Sequence, residues 1–301
     1  MRPTFVLSLD TELVWGTLDH TTPEGFAARY PDVRGVIGEL ITMLGHYEIS
    51  ATWAIVGHLL LGSCTGQHGD VACGVAGSRS NLPLFYGDDI LAMIRAARPV
   101  QEIGSHSFVH MQYDAPLARV SADLEEAVKA ARGSALELRS FVFPRNVEGQ
   151  HELLAGKGFT AYRGADPTWY RSLTGPASRL AHLFDQALSL PPPVSLPAQT
   201  LDGLWNVPGS MLLLSRLGVR RFIPLSARVR KARRGLHRAV REGKVFHLWF
   251  HPFNLAIDRR GMFSCLDGIL EEVAGLRGAG YLEVKTMGDL ASEMAGPRSD
   301  G

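Results

Sequence analysis

Four clusters of residues able to do acid–base or metal chemistry stand directly after short apolar runs. "FVLSLDTE" ends in two carboxylates, Asp10 and Glu12, one residue apart. "QEIGSHSFVH" carries His106 and His110, "FVFPRN" ends in Pro144, Arg145 and Asn146, and "VFHLWF" runs into His251. Two imidazoles and one carboxylate form a three-ligand set for a catalytic divalent metal, with positions left open for water. Residues at i and i+4 share a helix face, so one turn of helix is expected to point both imidazoles the same way. With one carboxylate on the metal, the other is free to take a proton from water whose pKa the metal lowers toward about 7. His251 is a candidate acid for the leaving group, because imidazole titrates near neutral pH. His247, on the same apolar run, reads as structural.

The runs that deliver these residues read as strands: Phe5–Leu9, Ala51–Val56, Val100–Gly104, Ser140–Phe143, Phe159–Arg163, Val245–Phe250 and Tyr281–Lys285. Helical patterns lie between them. In Val33–His46 the apolar residues fall at 33, 36, 37, 40, 41 and 44, the spacing of one helix face. Asp88–Ala97 and Ser121–Arg132 read the same way, with Gly133 placed to end the second. Alternating strands and helices imply a mostly parallel α/β sheet, and seven strands in this length fit a barrel-like form. In such barrels the C-terminal strand ends converge on one face, where the site is built. The four clusters fall at four such ends, which points to a single site. No linker divides residues 1–301, so one domain is expected. Residues 62–83, rich in Gly and Ser, read as an inserted surface loop. Residues 164–210, with Pro191-Pro192-Pro193, read as a long excursion over the barrel mouth.

Composition narrows the class. The 301 residues are 46% hydrophobic and 20% charged with a formal net charge of +1, which gives no overall pull toward nucleic acid. No segment reaches the roughly 18 apolar residues of a membrane span. Cys64, Cys73 and Cys265 do not make a disulfide framework in a chain this long, and read as incidental thiols in a reducing compartment. No signal peptide is evident, so a cytoplasmic location is expected.

Together these stretches resemble the polysaccharide deacetylases of the NodB-homology type, carbohydrate esterase family 4, in a branch with D-x-E as first motif. The matches are "FVLSLDTE", "ATWAIVGHLL", "QEIGSHSFVH", "FVFPRN" with "GFTAYRG", and "HLWFHPFN", in the family's order over roughly residues 4 to 255. The resemblance implies a distorted (β/α)7 barrel. It implies removal of acetyl groups from sugars with one divalent metal, zinc first and cobalt, nickel or iron behind it. It makes Asp10 the general base, Glu12, His106 and His110 the metal ligands, and His251 the general acid. Where the family's R-x-P motif has an arginine that holds the catalytic aspartate, this chain has Val142. Arg145, after Pro144, is the candidate to reach Asp10 from the other side. Asn146, Trp15, Tyr113 and Trp169 are weaker candidates for substrate contact, Trp169 as the wall of an acetyl pocket and the chain near Tyr113 as a source of a backbone N–H for the oxyanion.

A member without an exported, cell-wall setting is expected to act on an acylated amino sugar that is small, carrier-linked or part of an antibiotic, with formyl as an alternative to acetyl. From Arg216 to Lys244 there are 11 Lys and Arg residues against one acid, Glu242. This 216–244 region suits a phosphate-bearing or lipid-linked substrate or peripheral contact with an anionic membrane, and equally a solvated helix face. Two other readings use the same residues: a catalytically silent glycan-binding protein, suggested by the missing R-x-P arginine, and a non-haem iron oxygenase built on two histidines and a carboxylate.

Overall fold

All eight residues of β1 (Thr4–Thr11) are buried, as a strand with parallel neighbours and covered faces must be. The computed structural model describes residues 1–296. Helices α1 (Pro23–Arg29) and α2 (Val33–His46) lead to β2 (Thr52–Ile55). The hairpin β3 (Ser63–His68) and β4 (Val71–Ser78) precedes α3 (Asp88–Ala96) and β5 (Glu102–Ser105). Next come α4 (Leu117–Gly133), β6 (Ser140–Val142), α5 (His151–Gly156), β7 (Ala161–Arg163) and α6 (Gly175–Ala187). Three two-residue strands follow, β8 (Ala198–Gln199), β9 (Trp205–Asn206) and β10 (Met211–Leu212). The chain then forms α7 (Leu225–Glu242), β11 (Val245–Phe250), α8 (Arg259–Gly278), β12 (Glu283–Lys285) and α9 (Met287–Ala295).

The main sheet runs β10-β11-β1-β2-β5-β6-β7-β9-β8. Its pairings are parallel except for β8 with β9. All seven expected strands belong to this sheet, and the fold is the curled α/β half-barrel that the sequence leads one to expect. The distortion has two sources. One edge of β1 is shared: β12 pairs with Thr4–Val6 and β2 with Ser8–Thr11. The gap between β7 and β11 is bridged by the end of the Pro-rich excursion rather than by a regular strand. Val207 and Gly209 donate backbone N–H bonds to Tyr162 and Gly164 beside β7, while Ser210 and Leu213 donate to His247 and Trp249 of β11. Strands of two residues are too short to leave a readable period, which hides this closure in the sequence.

The strand period of two sorts β1 cleanly. Phe5, Leu7 and Leu9 face the helical layer and join the large core with Leu40, Leu44, Phe246, Leu248 and Phe250. Each such side chain contributes about 1.5–3 kcal/mol by leaving water. Val6, Ser8 and Asp10 face the other way, into the barrel. There Val6 packs with Ala54, Val142 and Ala161 over Met287 and Leu290 of α9, which plugs the floor. The barrel axis therefore runs from an apolar floor through a polar middle to carboxylates at the mouth.

Two stretches depart from expectation. Residues 62–83 are not an irregular loop: β3 and β4 pair antiparallel with a bulge between Thr65 and Gln67. Their glycines and serines conceal the alternation that marks a strand. Cys64 and Cys73 face each other across this hairpin, 3.5 Å between sulfurs, whereas Cys265 is buried elsewhere. In the basic region, α7 buries Lys231 against Asp185 and Arg228 against the Arg220 carbonyl. Arg233 pairs with Glu272 and Arg238 with Glu242. Arg230, Arg234 and Arg241 line a surface cavity of about 360 Å³ with Pro191. Among the described residues no helix is long and apolar enough to cross a membrane.

Candidate active site

Strands β1, β5, β6, β7 and β11 bring their C-terminal ends to one mouth. A cavity of about 290 Å³ opens there, bounded by Asp10, Glu12, His110, Asn146, Trp249 and His251. This is at the lower edge of small-ligand cavities, which run from about 300 to 1,000 Å³.

Glu12 is the centre of an imidazole cluster. Its Oε2 lies 3.2 Å from His106 Nε2 and 2.9 Å from His110 Nε2, and its Oε1 lies 3.4 Å from His251 Nε2. Burial pushes the Glu12 carboxyl up, but the surrounding imidazoles outweigh it and hold the group well below the usual carboxylate range. His106 Nδ1 is 2.8 Å from the Val142 carbonyl. In the neutral ring that bond puts the proton on Nδ1 and leaves Nε2 free toward Glu12, the orientation seen in metal-bound histidines. Val142 occupies the position of the missing motif arginine, and its backbone takes up this orienting role.

The two motif histidines do not sit on a turn of helix. Residues 106–110 form an irregular loop with Ser107 (φ 62) and His110 (φ 60) in the left-handed region. Asp123, fully buried on α4, accepts the backbone N–H of Phe108 at 3.0 Å and of Val109 at 3.1 Å. Ser107 Oγ accepts from Met111 N–H at 2.9 Å. The loop is thus held from α4 rather than by helical bonds, and this strained form turns both rings onto Glu12. Asp123 escaped the sequence reading because it sits at a helix position otherwise read only by its apolar spacing.

Asp10 has a different partner. Arg163, the last residue of β7, grips it with two bonds, Nη1 to Oδ1 at 2.6 Å and Nη2 to Oδ2 at 2.8 Å. Both side chains are buried, 1% and 3% exposed. Burial alone pushes the Asp10 carboxyl up; the Arg163 guanidinium prevails and holds it below the usual carboxylate range. Arg163 also donates to Ser8 Oγ at 3.0 Å and to Asn146 Oδ1 at 3.1 Å, and its guanidinium stacks 4.0 Å from the Trp249 ring centre. His247 Nε2 meets Ser8 Oγ at 2.8 Å. Burial pushes the His247 imidazole down to about 3, so it is neutral. Its part is structural, as read from the sequence. Asp166, accepting from Trp249 Nε1 at 3.0 Å, is pushed up to about 6 by burial.

This corrects the assignment of Arg145. Its guanidinium turns outward to Asp19 at 2.6 Å and is 40% exposed, so it borders the cavity rim without touching Asp10. Arg145 and Asn146 both have positive φ, a bend that sends the two side chains apart. Arg163 was legible in principle: it ends the strand of "GFTAYRG", by the same rule that found the other four clusters. Asn146 borders the cavity and accepts from Arg163. Trp15 does not reach the cavity; its Nε1 donates to the Phe85 carbonyl at 3.2 Å and its ring packs 4.6 Å from His58. Tyr113 is fully buried, packed at an angle on Phe141 and edge-on to Phe143, with its hydroxyl 3.4 Å from Asp123. Trp169 is 59% exposed and bonds Asp185 rather than the site. The three aromatic rings satisfy their own packing or hydrogen bonding away from the mouth.

The residues present fit a divalent metal. The ligand atoms of Glu12, His106 and His110 lie within 4.8 Å of one another. Among the described residues Glu12 pairs only with imidazoles. A buried carboxylate without a permanent cationic partner is costly, and a divalent ion supplies the positive charge that Arg163 gives to Asp10. Glu12, His106 and His110 would be the ligands.

Site and fold together define a class: an α/β half-barrel with a carboxylate–imidazole centre at its strand ends. No family model and no curated protein matches the chain. Among solved structures, a Mycobacterium smegmatis protein described as a polysaccharide deacetylase superposes with a TM-score of 0.66 at 16% identity, over 97% of this chain and 90% of that one. Puue allantoinase gives 0.63 at 12% identity, over 96% and 88%. A Pseudomonas aeruginosa PAO1 protein, also described as a polysaccharide deacetylase, gives 0.61 at 12%, over 96% and 88%. The fold is that of the polysaccharide deacetylases.

Proposed function

We propose that the protein is a metal-dependent hydrolase that removes an acyl group, acetyl or formyl, from the nitrogen of an amino sugar. The observation that carries this reading is the division of labour between two buried carboxylates 10 and 12. One is clamped by a guanidinium, and the other, among the described residues, pairs only with imidazoles. Zinc, cobalt, nickel or iron held by Glu12, His106 and His110 would act as a Lewis acid toward the acyl carbonyl and acidify a water molecule. Asp10, kept ionised and aimed by Arg163, accepts the proton of the attacking water. His251 Nε2, 3.8 Å from Asp10 Oδ2 and partly exposed to the cavity, protonates the departing amine. Trp249 and Asn146 wall the cavity and hold Arg163 in place. The neighbours described as polysaccharide deacetylases support the same chemistry.

The cavity supports a small or carrier-linked sugar presented one ring at a time. The missing R-x-P arginine, which favours a silent binding protein, is made good at Asp10 by Arg163. The oxygenase reading leaves both Asp10 and His251 without a task. Assay of acetylated and formylated amino sugars with the metal-loaded protein tests the proposal. Asp10→Asn should retain metal and lose turnover; turnover near the wild-type rate in that variant would overturn the assignment.

A further inference from the structure

Outside the mouth, one other cluster among the described residues gathers metal-ligating atoms. His58 lies just past β2, while Cys64, His68 and Cys73 come from the hairpin. We propose that His58, Cys64, His68 and Cys73 form a second metal site, a Cys2His2 zinc site that staples the hairpin to the barrel.

Their four ligand atoms lie within 4.8 Å of one another. His58 Nε2 is 3.2 Å from Cys64 Sγ, which is 3.5 Å from Cys73 Sγ. A tetrahedral zinc ion, with bonds of about 2.3 Å to sulfur and about 2.0 Å to nitrogen, holds its ligand atoms roughly 3.3–3.8 Å apart. The cluster already stands close to that spacing. His58 Nδ1 is 3.0 Å from the Phe85 carbonyl, which leaves Nε2 bare toward the sulfurs, the second contact that metal-bound histidines make. His68 Nε2 is buried and has no hydrogen-bond partner among the described residues, an unpaired polar atom the rest of the fold does not explain.

The hairpin is built to present these groups. In β3 and β4 alternate residues turn inward, which puts Cys64 and His68 on one face with Cys73 opposite. Between Cys64 and His68 on that face stands Gly66, at φ 96, with no side chain to fill the space. A lone two-stranded hairpin is marginal in water, and this one is made largely of Gly, Ala, Ser, Thr and Gln. A cross-link through four side chains adds an anchor to the packing of Val71 and Val75 on the core. A disulfide would engage the cysteines and leave both histidines unexplained.

The site also touches the catalytic loop. His58 N–H donates to the Phe108 carbonyl at 3.0 Å, and the His68 ring packs 4.9 Å from the Phe108 ring. Phe108 lies between the two motif histidines, so an ion here braces the segment that aims them.

The test compares zinc per chain, by elemental analysis of zinc-loaded protein, in wild type, Cys73→Ser, His68→Ala and His106→Ala. About two ions are expected in the wild type and about one in each variant. Cobalt substitution separates the sites, since only this one has sulfur ligands. A thiolate-to-cobalt charge-transfer band should persist in His106→Ala and vanish in Cys73→Ser. Should Cys73→Ser not fold, the wild-type cobalt spectrum and the protection of two thiols until a chelator is added carry the same information. A wild-type protein without the band, or with Cys64 and Cys73 recovered as a disulfide after anaerobic purification, overturns the proposal. A missing equivalent confined to His106→Ala, with no loss in the hairpin variants, also overturns it while leaving the catalytic reading intact.

Discussion

Replacing Arg163 by Met removes the guanidinium from Asp10 and keeps a side chain of similar length. The wild-type pair has two bonds of 2.6 and 2.8 Å between groups almost wholly buried. Removing one member of a buried pair costs about 3–5 kcal/mol, because a charge is left without its partner. The protein can relieve part of this by protonating Asp10. At about 1.36 kcal/mol per pKa unit, 3 kcal/mol corresponds to a rise of about two units. In the wild type the Asp10 carboxyl lies below its ordinary value, so the pair's contribution is full above the ordinary carboxylate pKa. It is lost as pH falls through the lower folded value. In Arg163→Met the sign reverses: Asp10 rises above its ordinary value, and the gap in stability between variant and wild type narrows on acidification. Two readouts follow, thermal unfolding across pH and the acid limb of kcat/KM on an acylated amino sugar. The limb should move up by about two pH units, while Arg145→Met, on the rim, leaves it in place. An unmoved acid limb with a pH-independent stability loss would refute the claim that Arg163 keeps Asp10 ionised.

Further outcomes are expected elsewhere. Asp123→Ala strips the acceptor from one buried and one half-buried N–H group, at about 1–3 kcal/mol for the buried one. It should lower the melting temperature and weaken metal binding at His106 and His110, read by competition with a chelator. The neutral, buried His247, pushed down to about 3, binds fewer protons folded than unfolded. Stability should therefore fall as pH drops below about 6.5, by up to roughly 1.4 kcal/mol per unit, and His247→Gln should flatten that slope in pH-dependent denaturation. Reversing Arg230, Arg233 and Arg234 to Glu should weaken binding to anionic vesicles or phosphorylated glycans by about 1 kcal/mol per charge. Unchanged binding would leave them a solvated face. Lys231 is omitted because it is buried on Asp185.

What the sequence disclosed, and what it hid, follows from the range of each interaction. Buried parallel strands write themselves as continuous apolar runs, so β1, β2 and β11 were legible, and with them the positions of Asp10, Glu12 and His251. The face of α2 was legible because burial repeats with the helix turn. Arg163 finds Asp10 across 153 residues, and no local pattern announces such a pair; the nearer basic residue, Arg145, was the misleading choice. The spacing of His106 and His110 suggested a helix because spacing carries no record of Asp123, whose carboxylate supplies the alternative bonds. The hairpin was obscured by glycines that permit its bulge and turn while erasing its alternation.

The neighbours of β1 have a consequence for when the site comes into being. The register that pairs Thr4 with Val245 joins the first strand to one 241 residues later. Asp10 and Glu12 are thus made long before His251. Loops of that length are slow to close. Until β11 pairs, one edge of β1 is open, and an open edge of this kind invites pairing with another chain. Sealing that edge is what brings His251 Nε2 within 3.8 Å of Asp10 Oδ2, so the mouth is assembled by a pairing between distant parts of the chain.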